Sequence, residues 1–145
     1  MRQALIIVVL LAAGAVLARY HVENQHYFPV TKLTSSDGYA FDVVQDRTDT
    51  REACGKANDR FLAPLKTACA QCEIVYARCE RELHGLELAL LMGDPVSLHV
   101  VVAPGLRLAM QGPAPTLRRD CEAMAAAIVK AGAKHAACAF PGTMR

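Results

Sequence analysis

Six cysteines, Cys54, Cys69, Cys72, Cys79, Cys121 and Cys138, are the residues of this chain best equipped for chemistry. Three uses compete for them. In an oxidising compartment they pair as disulfides, as low-pKa thiolates they exchange disulfides, and beside a histidine they hold zinc. An even count in a small exported domain points first to a disulfide framework. Partners follow from geometry, because a helix and the strand after it run antiparallel and an early helical residue lies level with a late strand residue. Cys54 stands about 14–18 Å from the end of its helix at 1.5 Å per residue. Cys79 stands about 20 Å into its strand at 3.3 Å per residue. Cys121 and Cys138 occupy analogous places. The expected framework is Cys54–Cys79 and Cys121–Cys138, with Cys69–Cys72 as a local clasp.

Cys69-Ala70-Gln71-Cys72 also has the form of a redox dithiol. Such a pair works when one thiol sits at a helix N-terminus and its pKa falls. Here the motif follows a helix and precedes a strand, and Lys66 is the only cation near it in sequence. A zinc reading takes Cys69, Cys72, Cys79 and His84, a tolerable spacing that strips Cys54 of its partner. Glu73 follows the CxxC where a c-type haem signal needs histidine. No cofactor or metal is expected. Ser97 and His99 alternate on one strand face, but no Ser-His-Asp order, paired-carboxylate motif or glycine-rich phosphate loop supports them. Glu80, Glu82 and Glu87 with Arg78 and Arg81 read as a solvated charged face. Asp42 and Asp46 alternate with apolar positions and read as pointing outward. Nothing here amounts to a catalytic site.

The ends of the chain decide where these cysteines reside. Behind Met1-Arg2-Gln3, residues Ala4 to Ala18 form an unbroken fifteen-residue apolar run. As a helix it spans about 22 Å, short of a bilayer core of about 30 Å. Val16-Leu17-Ala18 suits cleavage of a signal peptide, yet no polar region precedes the site. The reading is an export segment over residues 1–18, retained as an anchor or, alternatively, cleaved to release a periplasmic or secreted protein. Residues 19–27 then form a polar stalk and residues 28–145 one disulfide-stapled extracytoplasmic domain. Of 145 residues, 16 are Lys or Arg and 14 are Asp or Glu. These charges are interspersed, with no basic run beyond Arg118-Arg119, so a nucleic-acid partner is not expected.

The elements that must position the cysteines come in two similar blocks. GYAFDVVQDRTDTREAC and GLRLAMQGPAPTLRRDC align without a gap and share Gly38/Gly105, Arg51/Arg118 and Cys54/Cys121. Each glycine sits in a turn dipeptide, Asp37-Gly38 or Pro104-Gly105. Strands are predicted over 28–34, 39–43, 74–79, 98–102, 106–110 and 135–140. One helix is predicted from the Asp49/Glu52 capping pattern, with Cys54, Ala57, Phe61 and Leu65 on its apolar face, ending or kinking near Ala63 because of Pro64. A second starts at or just after Pro115 and carries Leu117, Cys121, Met124, Ile128 and Ala131 inward, with Gly132 at its C-cap. Residues 83–92 are apolar almost throughout and fit helix or strand.

The expected fold class is therefore α+β, a mainly antiparallel sheet with two helices on one face. Its plan reads as a duplicated ββαβ unit of ferredoxin-like, split-βαβ kind, behind an N-terminal apolar helix. The functional expectation is a non-catalytic envelope binding or assembly module whose partner is a protein or an envelope polymer, touching the membrane through residues 4–18 if they are retained. The alternative is an extracytoplasmic thiol–disulfide oxidoreductase using Cys69 and Cys72.

Overall fold

The computed structural model describes residues 25–141. The apolar run Ala4–Ala18 and most of the stalk lie outside them. Among the described residues no helix is long and apolar enough to cross a membrane.

Among the described residues, six antiparallel strands and three helices follow one another along the chain. They are β1 (Phe28–Ser35), β2 (Ala40–Gln45), α1 (Arg51–Ala68), β3 (Cys72–Glu80), α2 (Gly85–Met92), β4 (His99–Ala103), β5 (Leu106–Gln111), α3 (Ala114–Lys130) and β6 (Ala137–Ala139). The strands form a single sheet in the order β3-β1-β2-β5-β4-β6. Both hairpins turn on the expected glycines, Gly38 at φ +85° and Gly105 at φ +75°, a region in which other residues are strained. Pro104 and Gly105 alone connect β4 to β5.

Two details of α1 refine the expectation. Its cap is Thr50 rather than Asp49, because the Thr50 hydroxyl is the group that accepts from the Ala53 N–H, at 3.0 Å. The helix also continues through Pro64 to Ala68. Pro64 and Arg60, whose carbonyl loses its helical donor, are both exposed, so the position of the missing bond is open to solvent. In α3, Pro115 occupies the first turn, where no N–H is needed.

Alternation along the strands sorts their side chains onto two faces. Leu33, Phe41, Val43, Val101, Leu108 and Met110 share one face with Leu62 of α1 and with Cys121 and Ala125 of α3. Val30, Val44, Val100 and Ala109 share the other with Leu83 and with Leu90 of α2. Two helices thus lie on one face, as the periodicity requires, and the undecided segment 83–92 supplies a third helix that covers part of the opposite one. β2 is consequently buried on both sides, from Phe41 through Val44.

The first hairpin is tied to α3 by Tyr39. Its hydroxyl donates to the Asp120 carboxylate and lies 2.8 Å from the Thr116 hydroxyl. The hydrogen bond from Tyr39, and then that from Thr116, hold the Asp120 carboxyl below the usual carboxylate range. Gly112 permits this contact, since a Cβ there would overlap the Tyr39 ring.

Candidate functional site

All six cysteines are bridged. Cys54, in the second turn of α1, joins Cys79 near the end of β3, with their Cα atoms 6.0 Å apart. Cys121 of α3 joins Cys138 of β6 at 5.7 Å, and Cys69 joins Cys72 at 5.3 Å. Cys54 and Cys121 are fully buried, so each long bridge pins the inner face of a helix to an outer strand of the sheet. The set Cys69, Cys72, Cys79 and His84 is not brought together as a metal site, because Cys79 is taken by Cys54. Cys69 caps the C-terminus of α1, its N–H bonded to the Leu65 carbonyl. That is the negative end of the helix dipole, which disfavours a thiolate. His99 is partly buried, its ring edge-on to Phe140 at 5.6 Å.

A concavity lies on the α2 side of the sheet. α2 rests over β2 and β5, which leaves the β1–β3 part of that face open beside it. The result is a cleft of about 980 Å³, floored by Lys32, Asp42, Tyr76 and Arg78, with Leu86 and Glu87 of α2 as one wall. Tyr27, Arg51, Arg81, Glu82, His84 and Gln111 form the rim. Its floor follows from strand register. The Asp37-Gly38 hairpin sets Lys32 opposite Asp42, and the β1–β3 ladder sets Lys32 opposite Tyr76 and Val30 opposite Arg78.

Ion pairs knit these groups together. Lys32 Nζ lies 3.1 Å from Asp42 Oδ1. Asp42 is only 6% exposed, so the expectation that it points to solvent is corrected: it leaves the α1–α3 face but is covered on the other by Lys32 and α2. The Tyr76 hydroxyl donates to Glu87 Oε1 at 3.2 Å, and Arg78 Nη2 stands 3.6 Å from the same oxygen. Arg78 also pairs with Glu80 and stacks 4.2 Å above the Tyr76 ring. Arg81 at the rim donates to Gln25 and Tyr27. Of the charged residues read from sequence as a solvated patch, Arg78, Glu80 and Glu87 are therefore partners in one cleft, while Arg81 and Glu82 stay exposed at its rim. Sequence reasoning missed Lys32 and Tyr76. The signal for Lys32 was present, since counting back from the hairpin turn places it opposite Asp42.

Electrostatics at the floor favours the proton-bearing forms. The hydrogen bond and charge of Asp42 raise the Lys32 pKa. Burial, and then the Glu87 carboxylate, raise that of Tyr76. Both protons are held more tightly in the folded than in the unfolded chain. Each group thus contributes stability that is complete below its unfolded pKa, near 10 for the phenol and 10.5 for the amine, and lost as pH rises through the folded value. Thermal melts between about pH 9 and 11.5 should show a falling melting temperature, with a smaller fall in Lys32→Met. A flat alkaline profile in the unaltered chain would contradict the placement of both groups.

β3 is an outer strand of the sheet, but it is not a smooth edge. Tyr76 pairs with Lys32 and Ile74 with Leu33, leaving Val75 without a partner on β1. Such a bulge twists an edge away from further pairing. Chemically, paired charges around a stacked Tyr–Arg couple present donors and acceptors of both signs.

Fold and cleft define the class of protein at hand, a disulfide-bonded α+β sheet domain with a charged cleft on one face. Comparison with protein families, with curated proteins and with solved structures finds no match for the chain.

Proposed function

We propose that this chain is a non-catalytic binding or assembly module of the cell envelope, held at the membrane by residues 4–18 or released once they are cleaved, and that it takes a protein or polymer partner in the charged cleft. The observation that carries this reading is the cleft itself. Four elements bring ionised groups to one concave surface, and those groups are mutually satisfied rather than poised to react. Three bridges in a domain of this size suit an oxidising, extracytoplasmic compartment. The thiol–disulfide alternative is disfavoured by the position of Cys69 at a helix C-terminus.

We also read the two halves as copies of one ββαβ unit. In the first, β2 and β3 flank β1 and are joined through α1; in the second, β5 and β6 flank β4 and are joined through α3. Each has the split-βαβ form, and each carries one bridge from helix to following strand. This supports duplication, with the Cys69–Cys72 turn and α2 as additions to the common plan.

A pull-down from envelope extracts with the tagged full chain tests the binding reading. Arg78→Glu, which reverses a charge at the cleft floor on a half-exposed side chain, should leave the melting temperature within a few degrees and lose the captured partner. Capture undiminished in Arg78→Glu would remove the cleft from the function. Replacing Cys69 and Cys72 together by serine should spare binding; loss of activity at an unchanged melting temperature would instead establish the pair as chemistry.

A further inference from the structure

α2 is apolar on every side but that of Glu87. Its sequence is Gly-Leu-Glu-Leu-Ala-Leu-Leu-Met, and Glu87 is its one charged residue. Leu90 faces the sheet and is fully buried. Leu88 and Met92, one turn apart on the same side, are 43% and 68% exposed. A helix on the surface of a soluble domain normally carries polar residues there. Scattered exposed apolar side chains are ordinary, but a stripe along one helix marks a surface that something covers.

The course of the chain indicates what covers it. Gln25 is the first described residue, and Arg81 donates to its side chain at 3.0 Å. Arg81 lies in the short connection that leads into α2. The apolar run Ala4–Ala18 is joined to Gln25, beside the start of α2, by residues 19–24. Those six residues span at most about 20 Å fully extended, whereas α2 is about 12 Å long. A bilayer that holds residues 4–18 is within reach of the whole outer face of α2.

We propose that Leu88 and Met92 rest in the interfacial layer of the bilayer that anchors this chain. The inference rests on the membrane-anchored form of the function proposed above. Two partly exposed side chains bind lipid weakly by themselves, but the tether makes the contact intramolecular and raises its effective concentration. The contact orients the domain rather than anchoring it. Because Leu86 and Glu87 of the same helix wall the cleft, docking α2 fixes the angle at which the cleft is presented to a partner.

The methionines supply the probe. The full chain, labelled with 13C at its methionine methyls, is reconstituted in phosphatidylcholine–phosphatidylglycerol vesicles with and without nitroxide-bearing lipid, the Met92 signal being assigned from Met92→Leu. The Met92 methyl should be attenuated several-fold by the nitroxide lipid, while buried Met110 keeps its intensity. Vesicle-bound chain whose Met92 ignores the lipid nitroxide yet broadens with a soluble paramagnetic chelate overturns this inference alone. Met92 shielded from both reagents assigns the face to another protein surface, a second copy included, and also overturns it. A chain that fails to float with the vesicles overturns the anchored reading and this inference with it.

Discussion

Replacing Cys121 and Cys138 together by alanine is expected to lower stability by about 3 kcal/mol, whereas the same change at Cys69 and Cys72 should cost about 2 kcal/mol or less. The difference is set by loop length. The Cys121–Cys138 bridge spans 17 residues and the Cys69–Cys72 bridge 3, so the longer one removes more freedom from the unfolded chain. Cys121 is also part of the core beneath α3, in the cluster with Val101, Leu108 and Met110, so its loss leaves a small cavity as well. Among the described residues β6 is only three residues long and pairs with β4 alone. In a domain of this size the loss should appear as a fall in melting temperature on the order of 10 °C. Thermal unfolding of the two double variants side by side checks it. Equal falls would mean that the long bridge closes no more of the unfolded chain than the clasp does.

Leu90→Ala should be comparably damaging, at about 2–5 kcal/mol. Leu90 is fully buried and is the residue by which α2 is packed on the sheet, among Val30, Val44, Val100 and Ala109. An eight-residue helix is too short to be stable in isolation, so its helical state depends on that packing. Leu88→Ala, on the outer side of the same helix, should stay within about 0.5 kcal/mol. Chemical denaturation of the two variants separates these outcomes. Leu90→Ala should also loosen the wall that presents Glu87 to Tyr76 and Arg78, and so weaken capture of any cleft partner beyond what lost stability explains. Near-identical stabilities for Leu90→Ala and Leu88→Ala would show that α2 is not seated as described.

The contrast between those two leucines marks where sequence reading stops. β1, β2, β4 and β5 were legible because period-two alternation and turn glycines are local signals, and Gly38 and Gly105 adopt the positive φ those turns need. α1 and α3 are legible because apolar residues return at helical spacing; the cap at Thr50 is misjudged, and of an end or a kink near Pro64 the structure excludes the end. Helix and strand lengths put Cys54 level with Cys79 and Cys121 level with Cys138, and the structure has both pairs bridged. These features depend on residues close in sequence, so the chain determines them by itself.

The segment 83–92 has no such signal, because a run that is apolar throughout has no period to distinguish helix from strand. Only the uncovered face formed by Val30, Val44, Val100 and Ala109 decides that it becomes α2 and where it lies. The cleft is decided in the same way. Lys32, Asp42, Tyr76, Arg78 and Glu87 come from β1, β2, β3 and α2, and each alone reads as an ordinary surface residue. Periodicity states which face of its own strand a side chain takes. It does not state which strand lies beside it or whether a helix covers that face. Those depend on pairings between distant parts of the chain, β3 with β1 and β2 with β5, and so the tertiary structure alone assembles the cleft and buries Asp42 within it.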